Sequence, residues 1–233
     1  MRKYKSIFLI FSIVLIIMVF GIIFFNKDTK SMVVNATPVT SHVVVIDAGH
    51  GLPDEGAVGV YGTTEEAINL KIALKLQKLI EQSGGVVYLT RSDENGIYSS
   101  DATSLKEKKV SDIKNRVLIG NDESVDVFIS IHLNKYPSNI YSGWQTFYQG
   151  GNEESIRLAK NIQDSLNNTI STPNNRVPLV LKGIYIMDHV ENTTVTVECG
   201  FLSNEEEAKK LEQEDYQEKL AWGIYIGLQE FFK

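Results

Sequence analysis

Apolar positions along this chain alternate between two patterns. Short runs rich in Val and Ile, at Val43–Asp47, Val86–Thr90, Val127–His132, Gly143–Tyr148, Ile184–Met187 and Val195–Cys199, read as strands, most of them buried on both faces. Between them, apolar residues recur at helical spacing. Thr64 to Gln82 puts Ile68, Ile72, Leu76, Leu79 and Ile80 on one stripe, and Gly84-Gly85 ends it. Helices are also expected over Lys106–Asn121 and Glu153–Ile170. One or two more close the chain from Glu205 to Phe232, with Leu211, Leu220, Ile224, Leu228 and Phe231 inward. Gly49–Gly62, Ser92–Ser104 and Ser171–Pro178 read as connections. The alternation predicts an α/β fold: a twisted, mostly parallel or mixed sheet of about six strands with helices on both faces.

The first segment follows another rule. Arg2, Lys3 and Lys5 precede a run from Ile7 to Phe25 that is apolar apart from Ser12 and Gly21. At 1.5 Å per residue it would be roughly 28 Å long, against ~30 Å for a bilayer's hydrocarbon core. This predicts one N-terminal transmembrane helix over 1–26, an uncleaved anchor with the basic end in the cytoplasm. Val34-Asn35-Ala36 offers the alternative of signal cleavage and secretion, but lies far from the apolar run. Residues 27–41 are expected to be a tether, and 42–233 a single extracytoplasmic domain.

Composition narrows the partners. A formal net charge of −6 argues against nucleic-acid binding through a basic face. Cys199 is the only cysteine, which excludes an intramolecular disulfide.

The chemistry gathers at strand ends. In an open α/β sheet, ligands bind beyond the carboxyl ends of the strands. His50 follows the first strand between Gly49 and Gly51, and His132 ends a strand whose Ile129 and Ile131 are core residues. Asn134, two residues on, adds a polar group that could touch substrate. Glu65 lies on the inward stripe of its helix, where a carboxylate is costly unless paired or metal-bound. Its neighbour Glu66 fits a capping box with Thr63 and so takes a structural role. Glu198 interrupts Val195–Cys199 at another strand end, where it suits a general base. Alternation turns Cys199 to the opposite face, so a thiol nucleophile is rejected. His42 and His189 read as a solvated residue and a surface loop residue. Arg91 and Arg116 read as structural, pairing with Asp93 or with carboxylates near the sheet edge. Two imidazoles, a carboxylate and a second glutamate suggest a metal hydrolase site.

Four motifs, in order and sensibly spaced, resemble those of the zinc-dependent N-acetylmuramoyl-L-alanine amidases. They are IDAGHG at Ile46–Gly51, E-x-x-x-N-L at Glu65–Leu70, SIHLN at Ser130–Asn134 and VECGFLSN at Val197–Asn204. The resemblance implies Zn²⁺ held by His50, Glu65 and His132, with Glu198 catalytic. It further implies cleavage between the lactyl group of N-acetylmuramic acid and the L-alanine of the stem peptide. Ala48 and Leu52 depart from a proline and a glycine common in the family, and neither position is a ligand. Some relatives carry a helical insertion that blocks the zinc, and Asn175 to Val197 is too short for it. Size and a lone anchored domain are similar to the germination-specific, spore-cortex subgroup, which implies a role in muramic-δ-lactam formation. An activating or targeting partner protein is a further expectation. Two alternatives stay open: a conditional or scaffold protein on the same fold, and a zinc peptidase cutting within the stem peptide.

Overall fold

The computed structural model describes residues 36–233, so the expected anchor over 1–26 and the tether as far as residue 35 lie outside the described residues. The six strands are β1 (Val43–Ala48), β2 (Val86–Leu89), β3 (Val127–Asn134), β4 (Gln145–Gln149), β5 (Leu179–Leu181) and β6 (Thr193–Phe201). They form one sheet in the order β2-β1-β3-β6-β4-β5. Pairing is parallel except where β4 meets β6. The helices are α1 (Glu65–Gln82), α2 (Leu105–Gly120), α3 (Glu153–Thr169), α4 (Tyr185–His189), α5 (Glu205–Leu211) and α6 (Glu214–Phe231).

Strand alternation gives each face of the sheet its own core. Val44, Ile46, Ile129, Val195 and Val197 meet the apolar stripes of α1, α3 and α6. Val45 and Phe128, of opposite parity, pack with Val117 of α2 and with Ile186 and Val190. Helices therefore cover both faces, as the sequence predicts, and the sheet is mixed.

The run Ile184–Met187 corrects one expected strand. It enters the short helix α4, and the sixth strand is instead Leu179–Leu181. Four apolar residues cannot distinguish strand from helix by periodicity. The deciding features are local: Gly183 takes a positive φ of 77°, and its N–H donates to Asp188 Oδ2 at 3.1 Å. Burial of Ile186, Met187 and Val190 then fits a helical turn.

The Thr63–Glu66 capping box is also corrected. Thr64 is the N-cap of α1 and makes no side-chain cap. The first helical N–H groups are already taken, since Glu65 N donates to Ala57 O and Glu66 N to Glu55 O. A capping box does form at α2, where Ser104 Oγ accepts from Glu107 N at 3.2 Å and Glu107 Oε2 accepts from Ser104 N at 2.8 Å.

Residues 37–41, expected in the tether, lie against the domain. Val39 is fully buried, and Thr37 and Thr40 hydroxyls donate to Ser83 O at the end of α1. The buried Val39 and these hydrogen bonds together fasten the stretch.

Candidate metal centre

The site is built on the carboxyl end of β1. Asp47, fully buried, accepts from Thr90 Oγ1 at 2.8 Å, Ser130 Oγ at 2.6 Å and Arg116 Nη1 at 2.5 Å. Burial alone would raise its pKa, but the Arg116 guanidinium and Ser130 outweigh that and hold it below the usual range. Arg116 also donates to the carbonyls of Ala48 and His50, while Arg91 donates to those of Ala48 and Gly49. Two rigid guanidinium forks thus pin three successive carbonyls. This holds His50 at φ 62°, a left-handed conformation that carries its imidazole into the crevice. Both arginines are structural, as expected. Gly49 is required for a separate reason: a Cβ there would overlap the His132 ring.

Glu65 lies between the two histidines. Its Oε2 is 3.2 Å from His50 Nε2, and its Oε1 is 2.9 Å from His132 Nδ1. Backbone N–H groups of Ala57 and Leu133 donate to the same carboxylate at 2.9 and 3.0 Å. One ligand atom from each of the three residues falls within 4.8 Å of the others. Burial pushes Glu65 up, but the bonds to His132 and His50 prevail and hold it well below the carboxylate range. Burial likewise pushes His50 down, yet hydrogen bonds to Asp54 and Glu65 raise it to about 9. Both shifts have one cause: the carboxylates around His50 favour a positive charge at this point. Two imidazoles around one ionised carboxylate fit a divalent cation there.

Glu198 reaches the cluster from β6. Its register partner on β3 is His132, so both side chains rise on the same side of the sheet. Unlike Glu65, it has a buried oxygen, Oε2, with no hydrogen-bond partner. Burial pushes its pKa up to about 7 against the pull of His132. A carboxylate poised there can accept a proton at neutral pH. Cys199 points away into the core, where burial pushes its thiol far up.

The remaining residues fall into place around this cluster. Asn134 is half-buried at the end of β3, past a register irregularity, and its carbonyl accepts from Leu202 N. His42 stacks on Phe232 and bonds Asp126, away from the cluster. His189 belongs to α4 rather than a loop, exposed and stacked on Tyr185. Glu66 faces Arg91 at 3.9 Å. Between Asn175 and Val197 the only helix is the five-residue α4, and the His50 and His132 side chains keep 25% and 24% exposure.

Sequence reasoning gave no role to three participants. Asp54 holds His50 Nδ1 at 3.2 Å and Lys109 at 2.8 Å. Asn69 donates to Gly49 O at 3.2 Å. Gly56, at φ 67°, has no room for a Cβ beside His50 and Glu65. Asn69 carried a signal, being one helical turn from Glu65 on the same face. Asp54 and Gly56 carried little, because a loop's path sets their contacts.

A family model described as N-acetylmuramoyl-L-alanine amidase matches residues 44–230. The germination-specific N-acetylmuramoyl-L-alanine amidase of Bacillus subtilis is 32% identical over 99% of this chain and 96% of its own length. The structure of the CwlD amidase from Clostridioides difficile, in complex with the GerS lipoprotein, is 42% identical. It superposes with a TM-score of 0.80 over 82% of this chain and 98% of that one. A second N-acetylmuramoyl-L-alanine amidase, from Clostridium difficile 630, is 30% identical with a TM-score of 0.71, covering 82% and 97% of the two chains.

Proposed function

The chain belongs to the N-acetylmuramoyl-L-alanine amidase family, and from that premise we propose that His50, Glu65 and His132 hold Zn²⁺ while Glu198 acts as the general base. The chain is a peptidoglycan hydrolase of that family. The observation that carries the site assignment is the contrast in partners: Glu65 is enclosed by five donors, from His50, His132, Asn69 and the backbone of Ala57 and Leu133, whereas Glu198 has a buried oxygen with none.

Zinc held by His50, Glu65 and His132 would supply Lewis acidity toward a water and the scissile carbonyl. The protein's own groups do the rest. Glu198 accepts a proton from the attacking water as its oxygen bonds to the lactyl carbonyl carbon. The same carboxyl then gives that proton to the nitrogen of L-alanine as the C–N bond breaks. The products are a lactyl carboxylate on the glycan and a stem peptide with a free L-alanine amine. Asp54 fixes the imidazole of His50, and Lys109 fixes Asp54. Asn134, at the crevice beside His132, contacts the substrate.

The likeness to a germination-specific amidase supports action on the spore cortex, preparing muramic acid for the δ-lactam. The complex of CwlD with a lipoprotein supports a partner for this chain that activates or targets it at a membrane. Residues 1–26 anchor the chain, and the catalytic domain faces the extracytoplasmic side.

The test uses the purified full chain, its zinc measured by elemental analysis, incubated with peptidoglycan. Mass spectrometry is expected to find new L-alanine amino termini and one zinc per chain. New termini within the stem peptide instead would make it a peptidase.

A further inference from the structure

Beside the cluster, a cavity of about 140 Å³ reaches from His50 and His132 to α2 and α4. Three carboxylates face it, and each is engaged. Asp47 and Asp112 hold Arg116 at 2.5 and 2.6 Å, and Asp54 takes Lys109 at 2.8 Å. Lys108 differs. It is half-buried in the same wall, and among the described residues no carboxylate lies within ion-pair reach of it. Its ammonium sits 4.8 Å from the centre of the Tyr98 ring. A ring face orients a cation without neutralising it. In the cavity wall, with a ring face beside it and no carboxylate paired to it, this ammonium is available to an anionic ligand.

Size indicates which part of the substrate enters. Small-molecule pockets generally run ~300–1,000 Å³. A cavity of about 140 Å³ admits a short branch but no glycan strand. The branch at the scissile bond is the peptide. Apolar wall residues Leu105, Ile113 and Ile184 suit the L-alanine methyl, which leaves Lys108 for a charged group farther along.

Building on the amidase reading, we propose that Lys108 binds a carboxylate, free of the peptide linkages, on the stem-peptide residue that follows the scissile L-alanine. Lys108 is thereby a specificity-determining residue. It selects stems with a free carboxylate over those in which that group is amidated. The carboxamide has the same shape and no charge, so discrimination rests on the ion pair.

The experiment compares two muropeptides, identical except for carboxylate or carboxamide at that residue, with the full chain purified in detergent and loaded with zinc. Wild type cutting at least one of them upholds the amidase reading; cutting neither overturns that reading and this proposal with it. Given cleavage, the wild-type KM is expected about tenfold lower for the carboxylate form, a single ion pair's worth of affinity. Lys108→Ala is expected to raise that KM about tenfold with kcat nearly unchanged, and to leave the amidated substrate as it was. Lys108→Arg, which keeps the charge, is expected to keep the preference. Equal wild-type KM values, or an Ala variant that weakens both substrates alike, would overturn the proposal.

Discussion

The start of α1 and the end of β6 each aim a glutamate at the same point, and the chain treats the two in opposite ways. Glu65 is surrounded by two imidazoles and two backbone N–H groups, and stays ionised below the ordinary carboxylate range. Glu198, on a strand flanked by buried residues, has one oxygen with no partner, and burial raises it to about 7. A carboxylate supplied with donors is fixed in charge and place, which is what a ligand requires. One deprived of donors can change its protonation state, which is what a base requires. The division of labour lies in the hydrogen bonds rather than in the residue type.

The largest expected effect separates these roles. Glu198→Gln removes the proton acceptor, so turnover should fall by about 10²–10⁴ while zinc remains stoichiometric. Glu65→Gln should lose zinc and turnover together, since it leaves one imidazole pair with no anionic ligand. Parallel zinc and rate measurements on both variants decide it. If Glu198→Gln also lost zinc, the two carboxylates would share one role and the contrast would fail.

Asp54→Asn sharpens the comparison by one shell. It keeps the side chain's shape but weakens the grip on His50 Nδ1 and on Lys109. Orienting partners of this kind typically contribute 10–100-fold in metal affinity. Competition with a chelator should show zinc affinity down by that factor, and turnover at saturating zinc should be close to wild type. An unchanged affinity would place Asp54 in loop structure alone.

How much of this was legible beforehand depends on what decides each feature. His50, Glu65, His132 and Glu198 all interrupt or end an apolar pattern, so cost alone marks them. The sheet was legible for the same reason, because Val44, Ile46, Ile129 and Val197 must be buried somewhere. The segment Leu179–His189 was not, since its apolar residues fit either period and a glycine turn decides between them. Glu65 stood out by its place on the inward stripe, although half of its argument, the capping box on Glu66, does not form. Loop carbonyls at Ala57 and Glu55 take those N–H groups, and no local pattern announces a contact across eight or eleven residues. The proper capping box at Ser104 had the same signature and went unread.

The smallest expected effect is on stability, and it follows from the sign of the two shifts around Glu65. His50 is raised from 6.5 to about 9 in the metal-free chain, so its contribution is full below about 6.5 and is lost as pH rises through about 9. Glu65 is lowered from 4.5, so its contribution is present above that value and is lost only as pH falls below it. The His50–Glu65 pair is therefore best stabilised from about pH 4.5 to about 6.5 and weakens toward about 9. Zinc reverses the upper limb, because it takes the place of the proton on His50 and binds better as that proton leaves. Melting temperatures with zinc and with chelator should thus draw apart between about pH 6 and about pH 9. Glu198, raised to about 7 by burial, titrates in the same window, so Glu198→Gln should keep the part of the widening gap that His50 drives and lose the carboxylate's own share, whereas Asp54→Asn should start it at lower pH by releasing His50 from one of its two acceptors. A gap that stayed constant with pH in all three proteins would mean that the proton and the metal do not compete for the same imidazole.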